Sequence, residues 1–164
     1  MDTPEAPTLT HLDPRGGVHM VDVSAKANTV RTAVATGQVL LGHEAFAMVQ
    51  EQRNPKGDVI STAQLAGIMG AKQTSRLIPL CHDVVMGGID VELILEEATQ
   101  SVGIRAFAKT VGPTGVEMEA LTAVSVAALT LYDMCKSVSK GMRINDIHLV
   151  AKTGGQSGNY RKDL

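Results

Sequence analysis

Asp133 and Lys136 close a mostly apolar run, Gly115 to Lys136, and stand three residues apart, the spacing that places two side chains on one helical face. A carboxylate beside an ammonium there reads in two ways. On a solvated face it is an ordinary ion pair contributing about a few tenths of a kcal/mol. In a helix that is apolar on most faces, where desolvating charge is costly, the pair is expected to be partly buried or at an interface, and either group can be tuned into a proton donor or acceptor. Glu117 and Glu119 occupy the other end of the run. Glu119 precedes Asp133 by fourteen positions, close to the same face but about 21 Å away along the axis. It is therefore expected to serve a different part of a ligand, or a neighbouring subunit's site.

Three other stretches carry candidate chemistry. Leu80-Cys81-His82 follows Pro79 at the exit of a helix, where His82 could carry protons or donate to a phosphate near neutral pH; a surface histidine beside a half-buried cysteine is the plain alternative. Adjacent Cys and His with no second pair at ligand spacing argue against zinc. Lys56-Gly57-Asp58 opens a helix, so Lys56 and free backbone N–H groups together suit an anion, while Asp58 reads as a capping acid. Lys72 and Arg76 lie one turn apart and fit either an anion site or a solvated basic face. Lys152 precedes Thr153-Gly154-Gly155-Gln156-Ser157-Gly158, whose glycines could wrap amides round a phosphate. The lysine stands on the wrong side of the glycines for a P-loop. Ser137-Val138-Ser139-Lys140 with Lys152-Thr153-Gly154 imitates two β-lactamase elements, but they lie too close together and the third element is missing.

Composition bounds the carrier of this chemistry. The 164 residues suit one domain with a core, 44% are hydrophobic, and there are only two Phe, two Tyr and no Trp. Val, Leu, Ile, Ala and Met must fill the interior. A net charge of −2 gives no global pull on nucleic acid, and a single-stranded RNA module would need aromatics for stacking. Cys81 and Cys135 read as reduced thiols rather than a disulfide framework. No signal pattern is visible, and the stretch around Ala120–Tyr132 is short of the roughly 18 residues of a membrane span. The expectation is a cytoplasmic protein without membrane or nucleic-acid partners.

The positioning elements follow from periodicity. Strands are expected over Val30–Leu41, around Ile89–Leu95 and Val102–Ala108, and over Met142–Lys152; helices over His43–Gln52, Gly57–Arg76 and Gly115–Lys136. This order predicts an α+β, ferredoxin-like sandwich: an antiparallel four-stranded sheet with helices on one face. Residues 1–17 are expected to be a flexible lead-in, 18–153 a single catalytic domain, and 154–164 a flexible Gly-rich tail. A chain this apolar should bury the second sheet face in a homo-oligomer.

His19-Met20-Val21-Asp22-Val23, Lys56-Gly57-Asp58, Leu77-Ile78-Pro79-Leu80-Cys81-His82, the run Gly112 to Lys136 and Lys152-Thr153-Gly154-Gly155 closely resemble the cyclic pyranopterin monophosphate synthase family of molybdenum cofactor biosynthesis. The likeness covers about Leu9 to Gly158 and departs at Asp83, where the family pattern has Pro, Asn or His. The resemblance implies conversion of (8S)-3′,8-cyclo-7,8-dihydroguanosine 5′-triphosphate to cyclic pyranopterin monophosphate with release of diphosphate. It implies a hexamer, a trimer of dimers, with sites between subunits. By motif, Asp133 is the acid/base, Lys136 its proton-donating partner and Lys56 a further active-site lysine. Leu80, Cys81, His82, Met118 and Glu119 are substrate contacts, and Arg31, Lys72 and Lys152 anion contacts. No cofactor or dedicated metal cage is implied; Mg²⁺ could accompany the substrate phosphates. A regulatory or structural oligomer, in which Asp133 and Lys136 merely pair across an interface, is the competing reading.

Overall fold

The computed structural model describes residues 16–156 and 158–162. Most of the expected lead-in, up to Arg15, lies outside the described residues. The elements are β1 (Thr29–Leu40), α1 (His43–Gln50), α2 (Val59–Ala71), α3 (Thr74–Leu77), β2 (Met86–Glu96), β3 (Ser101–Gly112), α4 (Glu117–Cys135), β4 (Arg143–Thr153) and β5 (Tyr160–Arg161). The sheet runs β2-β3-β1-β4-β5, antiparallel throughout. Its first four strands have the ferredoxin-like order, with α2 and α4 packed on one face.

Strand alternation builds the core. Ala33, Ala35 and Val39 of β1 and Val102, Ile104, Ala106 and Ala108 of β3 are buried under the helices. Small residues bring α2 onto α4. A Cβ on Gly67 would stand 2.9 Å from the Ala123 carbonyl oxygen, and one on Gly70 would stand 2.7 Å from a Val126 methyl. The 19 residues of α4 are long and apolar enough to meet a membrane-span criterion, more than the sequence reading allowed, but 56% of its most apolar window is buried inside the fold. That is the burial of a core helix.

Two expectations change. The helix expected over Gly57–Arg76 runs only from Val59 to Ala71, with the Asp58 carboxylate before it capping it by accepting from Ser61 N at 3.0 Å. Gln73, with φ −109° and ψ 6°, leaves helical geometry, and Thr74 Oγ1 donates back to Ala71 O at 2.9 Å as α3 begins. The glycine-rich tail is not structureless, and the sheet gains a fifth strand. Gly154 and Gly155 take φ of +85° and +83°, Gly154 N donates to Asn159 Oδ1 at 3.2 Å, and Tyr160–Arg161 pairs with Ala151–Lys152. The second sheet face mixes charged and apolar groups. Glu92 lies opposite Arg105, and Thr32 opposite Lys109, so apolarity alone does not call for a cover there. Large exposed apolar side chains also stand on the helix layer, at Leu65, Met69 and Leu129.

Candidate active site

The loop between α1 and α2 meets the C-terminal end of α4. Asn54, 8% exposed, donates from its amide to Met134 O at 2.9 Å and accepts from Lys56 N at 2.8 Å. This fastens Lys56 over the helix end. Lys56 Nζ then donates to Asp133 O at 2.7 Å and Asp133 Oδ2 at 3.2 Å, while Lys136 Nζ pairs with Asp133 Oδ1 at 2.7 Å. The expected i, i+3 pair is present, with a third member 77 residues away. In the single chain the three side chains are about half exposed, at 44%, 58% and 53% for Lys56, Asp133 and Lys136, which leaves the interface half of the expectation, partly buried or at an interface, open. The helix turns its apolar faces inward and leaves its charged terminus in solvent. Hydrogen bonds from Lys136 and then Lys56 hold the Asp133 carboxyl below its ordinary value, and the bond to Asp133 raises the Lys136 ammonium above its own. The cluster is one carboxylate between two ammonium groups, with protons to donate and positive charge to offer an anion.

The other end of α4 borders a cavity of about 440 Å³ lined by Leu80, Cys81, His82 and Met118 together with Lys26 and Glu117, while Glu119 does not line it. His82 Nε2 donates to the Val21 carbonyl at 2.7 Å, which leaves Nδ1 as acceptor in the neutral ring. Glu119 is 3% exposed; its Oε2 has no hydrogen-bond partner, and its Oε1 lies 4.0 Å from Cys81 Sγ. Burial pushes the Glu119 carboxyl above its ordinary value. Burial, then the negative charges of Glu119, Asp83 and Glu117, push the Cys81 thiol up. Cys81 is therefore a neutral thiol that can donate weakly, not a thiolate nucleophile.

The anion candidates divide. Lys152 pairs with Glu117 Oε1 at 3.0 Å at the mouth of this cavity. Arg31 Nε donates to Gly112 O at 2.9 Å and borders a second hollow of about 250 Å³ with Gly155 and Lys26; Lys26 borders both hollows. Lys72 is exposed at the C-cap of α2 and does not line the Cys81 cavity, so the structure does not bring it to either cluster. Asp83 accepts a hydrogen bond from the Ser75 hydroxyl. Among the described residues no group of three or more His, Cys, Asp or Glu is placed to hold a metal.

Sequence reasoning missed Lys26 and Glu117 as lining residues. Lys26 belongs to no helix or strand and reaches the cavity only through the fold. Glu117 could have been singled out only by its partner Lys152, 35 residues on.

The MoaC family model matches residues 20–155. The cyclic pyranopterin monophosphate synthase of Salinibacter ruber is 63% identical over 154 residues, covering 94% of this chain and 91% of that protein. That of Heliobacterium modesticaldum is 56% identical, covering 94% and 98%. Human molybdenum cofactor biosynthesis protein 1 is 53% identical over 94% of this chain, which spans 24% of that longer protein. With its length covered and both ends of α4 dressed with polar groups, the chain belongs to the MoaC family.

Proposed function

We propose that this protein is a cyclic pyranopterin monophosphate synthase, a lyase of molybdenum cofactor biosynthesis that rearranges a cyclised dihydroguanosine triphosphate and releases diphosphate. The observation that carries the reading is the cluster of Lys56, Asp133 and Lys136. Opening and rebuilding a purine-derived ring needs proton transfers, and Lys136 is the donor, with Asp133 holding it and accepting in turn. Forming the cyclic monophosphate joins a hydroxyl oxygen to the innermost phosphorus and breaks that phosphorus's bond to diphosphate. The cations Lys26, Arg31 and Lys152 offset the charge on the leaving group. The unpartnered Glu119 oxygen suits the N–H edge of the guanine-derived ring, a match that repairs its lost hydration. No resident cofactor enters this scheme; Mg²⁺ would arrive with the phosphates.

A general acid must stand about 3 Å from the atom it serves. Fourteen residues of α4 separate Asp133 from Glu119, about 21 Å along the axis, too far for one protomer to apply both ends to one small ring. A homo-oligomer in which one subunit's Asp133 end completes another's Cys81 cavity accounts for this separation, and the family resemblance implies that the assembly is a hexamer, a trimer of dimers. The face of α4 carrying Met118, Ser125, Leu129 and Asp133 is open to such a neighbour. The protein acts in the cytoplasm, where Cys81 and Cys135 stay reduced. The test is turnover of the cyclic triphosphate with diphosphate detection. Asp133→Asn and Lys136→Ala should each keep the assembly intact and lower kcat by about 10²–10⁴-fold. Turnover like that of the unmodified protein would refute the assignment, and loss of assembly without an effect on chemistry would favour a structural role.

A further inference from the structure

Residues 81–85 belong to no helix or strand, yet Leu80, Cys81 and His82 must be presented to the cavity. Few bonds hold this stretch. Cys81 N donates to Ile78 O at 3.1 Å, His82 reaches Val21, and Thr110 Oγ1 donates to Val85 O at 2.7 Å. Cys81 Sγ also lies 4.0 Å from Glu119 Oε1, and one further tie is local. Ser75, in α3, donates from its hydroxyl to Asp83 Oδ1, closing a loop over a separation of eight residues with Leu80, Cys81 and His82 inside it.

We propose that the Ser75–Asp83 hydrogen bond is a clasp that holds the Leu80-Cys81-His82 loop in its substrate-binding shape, making Asp83 a positioning residue. The inference rests on the functional reading above. Both members are rigidly based. Ser75 stands on a helix whose first residue, Thr74, is 1% exposed, and Asp83 directly follows His82, whose ring is tied to Val21. Without the clasp the loop keeps its anchors at Ile78, at Val21 through the His82 ring, and at Val85, but Asp83 and the backbone beside it are released, and the side chains there sample more conformations before binding, a cost that falls on substrate affinity. Asp83 acts here through geometry. Its charge also lies near Cys81, so bond and charge must be separated by experiment.

The variants are Ser75→Ala, Asp83→Ala, Asp83→Asn and the double Ser75→Ala/Asp83→Ala. Two readouts are taken: KM and kcat on the cyclic triphosphate, and the rate at which iodoacetamide alkylates Cys81, with buried Cys135 as internal control of an intact fold. Ser75→Ala keeps the charge and should raise both KM and the Cys81 rate about 3–10-fold, with kcat within about 2-fold. Asp83→Ala and Asp83→Asn remove the same charge, but the amide oxygen still accepts; the alanine variant should exceed the asparagine variant by a similar factor in both readouts. The double variant should be no worse than Asp83→Ala. Equal behaviour of the alanine and asparagine variants, additive effects in the double variant, or an altered Cys81 rate without a change in KM would each overturn the proposal. If the unmodified protein shows no turnover, the functional reading fails, and the alkylation arm alone decides the clasp.

Discussion

Co-expression of two differently crippled chains tests whether the site is shared between subunits. Asp133→Asn removes the carboxylate at one end of α4, and Glu119→Gln alters the buried group at the other, about 21 Å away. Assayed separately and below KM, each should retain at most about a few per cent of activity. Let each site draw its Asp133 half from one subunit and its Glu119 half from another. In an equal mixture, the chance that the first half is intact is one in two, and likewise for the second. About a quarter of sites are then whole, whatever the size of the ring of subunits. Tagging the two chains differently and purifying the mixed assemblies should give about a quarter of normal diphosphate release, rising with neither chain alone. If every site lies within one chain, each chain spoils its own site and mixing restores nothing. Mixed assemblies no more active than the parents would therefore refute the shared site and the reasoning from the length of α4.

Three further outcomes follow from named contacts. Burial raises the Glu119 carboxyl above its usual 4.5, so the folded state holds this proton more tightly. That contribution is complete below the unfolded value and fades as pH rises through the folded one; Glu119→Gln should thus raise Tm at pH 8, with the gain vanishing near pH 4, as melting curves across that range would show. Asn54→Ala removes the bonds to Met134 O and Lys56 N and should cost about 1–3 kcal/mol in urea unfolding while lowering kcat/KM, because Lys56 loses its seat; unchanged kinetics would separate Asn54 from the cluster. Gly67→Ala places a methyl 2.9 Å from a main-chain oxygen of α4 that cannot rotate away, and should destabilise by about 1–3 kcal/mol despite alanine's better helix propensity. A rise in Tm would show that the two helices are not in close contact.

Much of this arrangement could be read from local pattern, and the rest could not for physical reasons. The alternation through Ile89, Val91 and Leu93 marks β2, and the i, i+3 spacing marks the Asp133–Lys136 pair, because both are set by the period of one element. Lys56 joins them across 77 residues through a loop pinned by a buried asparagine, a tertiary fact with no local signature. Its assignment came from family resemblance. Periodicity carried α2 too far because Thr74 to Leu77 continue its apolar spacing, while the break at Gln73 is a backbone event. The tail misled in the opposite sense. Two adjacent glycines can mark freedom or a tight left-handed turn, and here Asn159 and the free edge of β4 select the turn. Lys72, exposed at the C-cap of α2, does not line the Cys81 cavity of its own chain, and residue type alone could not have placed it.

A single helix fixes not only how far apart the two working ends lie but also their relative rotation. Inserting one residue within α4 would advance its C-terminal end by about 1.5 Å and turn Asp133 by about 100°, away from Lys56 or out of line with the cavity end. Inserting seven would restore the direction to within about 20° but lengthen the helix by about 10.5 Å. No insertion preserves both distance and phase. The segment from Glu119 to Asp133 is thus constrained in length even where its individual side chains are interchangeable, and insertions are expected to be tolerated in the loops outside α4 rather than within it.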